Sequence, residues 1–370
     1  MKFKKHIIPQ KSLSNIKITR GFGIAGDIHL YNSYPYSTYK NQISSRLYDL
    51  STPLFVLANT CQQNGLPLIL NGDITQQNIL DYPTLQMLQL FLSRFRDLDI
   101  LINVGNHDLD GDNNLLSPLI ELSDNKRHIV ISEPKIKRML DCNFCFVPFM
   151  KENITSRHLR QLSKELNDNE TNILIIHNTF AKSIFSNSRK SYSGIDQNAK
   201  YLRIFDLIAA SHIHRYQDIC LKRGFYTSSI IPLNFGEDQI EHGFHIVDLK
   251  KRIRYFVIPK APRFVYINAS QVSEKSAKLI KGNIVCIIND KKEIDRETVK
   301  KKILQYKPNF ITFRKKNTTN SMKQPLIKDS KKVEDIISEY SKVLSKKYKL
   351  NKDMVEQHGL EILGKVRKSK

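Results

Sequence analysis

Leu101-Ile-Asn-Val-Gly-Asn-His-Asp108 is an apolar run that stops abruptly in turn-forming and polar residues. The first four residues suit a buried strand. Gly105 lets the backbone turn sharply off the strand end. Asn106 offers a neutral carbonyl oxygen of the kind a hard metal accepts, and His107 can donate a proton near neutral pH. Taken alone, the stretch reads equally well as an ordinary strand-to-loop turn. Its meaning comes from recurrence.

The same apolar-to-polar switch is found four more times. Phe22–Ala25 runs into Gly26-Asp27-Ile28-His29, and Leu68–Leu70 into Asn71-Gly72-Asp73. Ile173–Ile176 delivers His177, and Leu207–Ala210 leads into Ser211-His212-Ile213-His214. Helical spacing separates the first three runs. It spans Asn41 to Asn64, where Pro53 is expected to kink or split the helix, and about Thr84 to Arg96. Alternating strands and helices describe a layered α/β sheet, in which ligands bind beyond the C-terminal strand ends. Arg127–Ser132, Ile136–Leu140, Phe144–Pro148, Asp218–Leu221, Gly224–Thr227 and Phe244–Asp248 read as further strands. Thr155 to Leu166 reads as a helix capped at Thr155.

Composition shifts after about Lys250. Residues 1–249 hold 27 Lys+Arg against 24 Asp+Glu, a net of +3, so the remaining 121 residues carry +20 of the total +23. Such a basic surface attracts phosphate backbones, and its lysine-rich character favours backbone contact over base reading. Strands at Phe264–Ile267, Asn283–Ile288 and Asn309–Arg314, with helices at Ser273–Leu279 and Asp295–Leu304, form a small α/β module. A polar linker follows. Val333, Ile336, Ile337, Tyr340, Val343 and Leu344 then mark one face of a helix, and a second helix is expected from about Lys352 to Leu363. The first 20 residues read as a loose basic arm.

Five cysteines at irregular spacing in a chain of 370 residues argue for a reducing compartment. Cys142 and Cys145 form a lone C-x-x-C inside a strand, a weak signal for zinc or redox chemistry. No run of eighteen apolar residues predicts a membrane span, and the N-terminus lacks the apolar core of a signal peptide. The expected location is the cytoplasm or nucleoid, without secretion.

Asp27, His29, Asp73, Asn106, His177, His212 and His214 together supply seven candidate metal ligands. Two metals about 3.5–4 Å apart can clamp the attacking and leaving oxygens of a phosphoryl displacement. Asp27 and His29, two residues apart, would project to one side of an extended segment. Imidazole mixed with carboxylate and amide oxygen suits Mn, Fe or Zn.

These motifs, Gly26-Asp-Ile-His29, Gly72-Asp73, Gly105-Asn-His-Asp108, His177 and His212-Ile-His214, resemble those of the calcineurin-like metallophosphoesterase superfamily. Within it, Tyr226–Glu237, Gly243–Asp248 and Arg263–Ile267 resemble segments of the SbcD-type double-strand-break repair nucleases, and the compact C-terminus is similar to phage recombination endonuclease subunits. The resemblance implies an α/β four-layer β-sandwich flanked by helices, a small α/β capping domain and a C-terminal helical tail. The implied division is an arm at 1–20, a nuclease domain at 21–250, a DNA-binding cap at 251–315, a basic linker at 316–331 and an ATPase-docking tail at 332–370.

It also implies two divalent ions, manganese ahead of magnesium, iron or zinc. One would be held by Asp27, His29, Asp73 and His214, the other by Asp73, Asn106, His177 and His212, with His107 catalytic. Exonuclease activity of 3′-to-5′ polarity and single-strand endonuclease activity are implied, as are a homodimer inside a heterotetramer and an SbcC-like, SMC-type coiled-coil ATPase partner that meets the helix face at Val333–Leu344. Gln76 stands where the superfamily often has Asp or His to orient the catalytic histidine, and Asp108 is a second supporting residue. Tyr31, Tyr34, Tyr36 and Tyr39 could border the DNA path. The competing readings are a small-molecule phosphodiesterase or nucleotidase, which the basic tail disfavours, and a DNA-binding scaffold whose site Gln76 has weakened.

Overall fold

The computed structural model describes residues 3–109, 119, 126–238, 240–289, 295–315, 337, 338, 341, 342, 345 and 351–368. The chain divides into two compact units, Met1–Arg314 and Lys315–Lys370.

In the first unit the chain runs through β1 (Lys4–Pro9), β2 (Gly21–Ala25), β3 (Tyr39–Lys40), β4 (Ile43–Ser44), α1 (Ser45–Gln63), β5 (Leu68–Asn71), α2 (Tyr82–Arg94), β6 (Ile100–Asn103) and β7 (His128–Ile131). It continues through β8 (Lys135–Met139), β9 (Cys142–Val147), α3 (Glu152–Glu165), β10 (Asn172–His177), β11 (Leu207–Ser211), β12 (Asp218–Ile219), β13 (Gly224–Tyr226), β14 (Phe244–Asp248) and β15 (Ile253–Ile258). A seven-stranded sheet has the order β1-β15-β14-β2-β5-β6-β7, and a six-stranded sheet the order β12-β13-β11-β10-β9-β8. Strands β2, β5, β6 and β7 are mutually parallel, as are β9, β10, β11 and β13.

The near-continuous apolar character of these strands follows from burial on both faces. Along β5 and β6, Ile69 and Leu101 join the core between the sheets, with Phe22, Ile24, Phe144, Phe146, Ile173 and Ile175. Their neighbours Leu68, Leu70, Ile100 and Ile102 face outward, packing with Leu47, Leu54 and Leu57 of α1 and Leu88 and Phe91 of α2. The outer face of the six-stranded sheet packs with Leu159 and Leu162 of α3. The result is the expected four-layer α/β sandwich. Ser44 caps α1, its hydroxyl accepting the Leu47 N–H, and the helix runs unbroken through Pro53.

Several expectations change. Lys4–Pro9 is an edge strand in parallel register with Ile253–Ile258, not a loose arm, and β15 extends the large sheet past residue 250. Its lysines made it read as an arm; on an edge strand they are exposed and discourage further pairing. Helix α3 starts three residues before Thr155, whose buried hydroxyl donates to the Met150 carbonyl instead of capping. Cys142 and Cys145 fall on opposite faces of β9, one in each core layer, so they share no ligand site.

A three-stranded sheet of β16 (Phe264–Asn268), β17 (Ile284–Asn289) and β18 (Phe310–Lys315), with α4 (Arg296–Leu304), follows. Its core is Val265, Ile267, Ile280, Val285, Ile287 and Ile303. In the second unit, α5 covers Lys352–Lys368, and Ile337 lies against Gly359, where an added Cβ would come within 2.7 Å of its Cγ2. Ser341 is buried there. Val333, Ile336, Tyr340, Val343, Leu344 and the linker 316–331 lie outside the described residues. No helix among the described residues is long and apolar enough to cross a membrane.

The inter-sheet core should dominate stability. Phe144 is fully buried, with its ring 5.3 Å from that of Phe22. Phe144→Ala is expected to cost about 3–5 kcal/mol, read as a lowered urea midpoint at unchanged slope.

Candidate metal centre

Five loops meet beyond the C-terminal ends of β2, β5, β6, β10 and β11. Backbone bonds lay the first two side by side: Asp27 N–H donates to Gly72 O, and the Ile28 and His29 N–H groups both donate to Asp73 O. Carboxylates join the rest. Both oxygens of Asp27 accept from His212 N–H at 3.0 Å, and Asp73 Oδ1 accepts from His107 N–H at 2.9 Å. Asp108 accepts from Gly105 N–H, Thr75 N–H and the Thr75 hydroxyl, which ties the third loop to the second.

Close approach requires glycine at two points. A Cβ on Gly72, whose φ is +80°, would lie 2.2 Å from His177 Nδ1, and one on Gly105 would lie 2.2 Å from Asp73 Oδ1. Four ligand candidates also carry left-handed backbone: Asp27, His29, Asp73 and His212. Such residues cost on the order of 1–3 kcal/mol each and persist only where surroundings over-determine them. Asp27 and His29 therefore converge through left-handed turns, not through the extended-strand alternation expected from their spacing.

The structure brings all seven expected ligands together. Ligand atoms within 4.8 Å of one another form three groups: Asp27, His29 and His214; Asp73, His177 and His212; and His29, Asp73 and His107. Asp73 Oδ2 lies 3.3 Å from His177 Nε2 and 3.7 Å from His29 Nε2, at the junction of the groups. Asn106 Oδ1 lies 2.8 Å from His212 Nδ1 and 3.3 Å from His177 Nε2. His29 Nε2 and His214 Nε2 stand 3.2 Å apart.

Hydrogen bonds fix which nitrogens face inward. His177 Nδ1–H donates to Asn71 O at 2.8 Å, and His214 Nδ1–H to Glu237 Oε1 at 3.0 Å. Both rings therefore direct Nε2 into the cluster, the arrangement a ligating histidine needs. Among the described residues, buried His29 Nδ1 has no hydrogen-bond partner.

The electrostatics favour positive charge at this spot. Burial pushes Asp27 up to about 6, with His214 opposing, and burial and Asp73 push Asp108 up to about 6. Burial would also raise Asp73, but His177 and His29 outweigh it and hold its carboxyl well below the usual range. Burial lowers His29 far below its ordinary value and, with His177, takes His212 down to about 4. At His177 and His214 burial is overcome by Asp73 and by Glu237 with Asp27, respectively, and both rise to about 9. Buried carboxylates of this density call for cations. The mixed imidazole, carboxylate and amide donors fit divalent ions, which Asp27, His29 and His214, Asn106, His177 and His212, and the central Asp73 would hold.

His107 donates Nδ1–H to the backbone carbonyl of Gln76 at 2.8 Å. The Gln76 side chain instead accepts from the Tyr34 hydroxyl at 2.8 Å. A main-chain group thus orients His107, so the departure from Asp or His at position 76 does not remove its partner. The tyrosines disperse. Tyr31 and Tyr34 pack edge to face, Tyr36 meets Phe235, Phe264 and Phe310, and Tyr39 is exposed with its hydroxyl on Asn32 O.

Three supporting residues escape a motif-based reading. Buried Asn71 donates to Ile176 O and Ala209 O in the other sheet, and Asn103 donates to Asn71 Oδ1 and Val147 O. The available signal was a polar residue ending an apolar strand. Glu237 is buried beside His214; its signal was a lone acid within Tyr226–Glu237.

No protein-family model matches the chain, and no curated protein matches it in sequence. Among solved structures, the chain is similar to a dimetal phosphatase from Danio rerio, at 11% identity and a TM-score of 0.42, over 63% of this chain and 93% of that one.

Gly72→Ala tests the packing of the centre. The new methyl displaces His177, and a calorimetric manganese titration is expected to show at least about a tenfold loss of affinity, on the scale of losing a ligand-orienting contact.

Proposed function

We propose that this protein is a two-metal phosphodiesterase that cuts DNA, the nuclease subunit of a recombination or repair complex. The observation that carries the reading is the placement of His107. It is half-buried, its backbone N–H is on the central Asp73 carboxylate and its ring is 4.8 Å from that of His29, yet its Nδ1–H is spent on Gln76 O. Its Nε2 is therefore the free end of a ring set against the candidate ligands. That is the position of a group that stabilises or protonates a leaving oxygen.

Two divalent ions held by these residues, manganese by this reading, would supply Lewis-acid charge and lower the pKa of a water. The chain's own residues do the rest. Asp27, His29 and His214 hold one side, Asn106, His177 and His212 the other, and Asp73 stands between. The +20 charge of residues 250–370 supports a polyanionic substrate over a small phosphodiester. On this reading the small sheet caps the DNA path and the tail docks on an SMC-type ATPase, in a homodimeric assembly.

The test uses purified full-length protein, end-labelled duplex, circular single-stranded DNA and a chromogenic phosphodiester. Manganese-dependent DNA cleavage, abolished by chelation and restored by added manganese, is expected. His107→Ala should lower kcat about 10²–10⁴-fold while metal content stays unchanged. Hydrolysis of the chromogenic diester without DNA cleavage, even with the cognate ATPase present, would overturn the nuclease reading.

A further inference from the structure

Glu237 lies on a single turn of 3-10 helix, Phe235–Glu237, that faces two ways. One end reaches the metal centre. Glu237 Oε1 accepts His214 Nδ1–H, and its Oε2 accepts Leu233 N–H at 2.8 Å. A closed ring of bonds supports this contact. Ser229 N–H donates to His214 O, the Ser229 hydroxyl donates to His242 Nδ1 at 2.7 Å, and His242 Nε2–H donates to Glu237 O at 3.2 Å. The Glu237 carbonyl can only accept, which assigns the His242 tautomer.

The other end is gripped by the small sheet. The Phe235 ring lies 4.8 Å from Phe264 and 5.0 Å from Tyr266, both on β16. It also lies 5.2 Å from Tyr36, on the loop that leaves His29, and Tyr36 in turn meets Phe264 and Phe310 of the small sheet. Beside it, Arg263 donates to Asp238 O, and the buried Arg46 donates to Pro232 O with its guanidinium over Phe264. Gly236 alone separates the gripped Phe235 from Glu237, which leaves little slack.

We infer that Glu237 is a positioning residue for His214, and that the aromatic grip on Phe235 couples the seating of the small sheet to occupancy of the metal subsite built from Asp27, His29 and His214. The inference rests on the two-metal reading of the centre. Among the described residues, the second subsite, at Asn106, His177 and His212, has no such link. Its Nδ1 donor, His177, is held by Asn71 O within the large sheet.

Manganese titration of the full chain, followed by calorimetry and by the spin-coupled signal of a manganese pair in electron paramagnetic resonance, separates the possibilities. Wild type is expected to hold two ions. Glu237→Gln must turn an amide NH2 toward either Leu233 N–H or His214 Nδ1–H, and should weaken one ion at least about tenfold, with loss of the pair signal and one ion retained at wild-type affinity. Phe235→Ala should weaken the same ion several-fold, and Phe235→Tyr, which keeps the ring, should restore it. Circular dichroism and thermal unfolding establish that each variant is folded. A folded Phe235→Ala with both ions at wild-type affinity overturns the coupling. Unchanged binding in Glu237→Gln, or equal loss of both ions, overturns the positioning role. A wild type that holds fewer than two ions fails the underlying two-metal reading instead.

Discussion

The Asp73 carboxylate is the contact on which the centre depends. One oxygen takes the His107 N–H and thereby sets the loop that presents the proposed acid. The other faces His177 from the opposite sheet and His29 from the neighbouring loop. A carboxylate almost fully removed from water at such a junction is costly unless paired. Asp27 and Asp108 are buried close by and each is repelled by Asp73, which adds to the cost. Histidine nitrogens and backbone N–H groups offset part of it. Divalent ions would offset more, and the donor chemistry is arranged for them.

That junction also explains the strained backbone. A seam between two mixed sheets, at the ends of their parallel strands, gathers side chains from five strand ends most readily where the chain turns back at once after a strand. Left-handed backbone at Asp27, His29, Asp73 and His212 does this after β2, β5 and β11, and the glycines at 72 and 105 let the loops touch. Asn71 and Asn103 lock the two sheets at the same level with side-chain amides. The strain is tolerated because a large apolar core stands directly behind it.

Much of this was legible in the sequence because two independent signals coincided. Apolar runs such as Leu68–Leu70 and Ile173–Ile176 declared buried strands, and Asp73 and His177 stood at their ends. Seven ligand candidates follow from that placement alone. What could not be read was anything carried by the main chain or by lone polar residues. Position 76 looked like a weakened partner for His107, yet the partner is a carbonyl that every residue possesses. Lys4–Pro9 looked like an arm because edge strands and basic arms share a composition. Glu237 lies 23 residues beyond His214, and no local pattern pairs them.

The asymmetry between the two halves of the centre follows from these supports. His177 is held by a backbone carbonyl at the end of a buried strand of the large sheet. His214 is held by a side chain on a short turn, and that turn is packed against a separate three-stranded sheet. A ligand anchored through the main chain of a buried strand is a fixture. One anchored through a side chain on a peripheral turn takes its position from whatever holds the turn. On the proposed reading, the subsite at His177 takes its position from the large sheet and the subsite at His214 from the small, basic module, the side from which a polyanionic substrate would act.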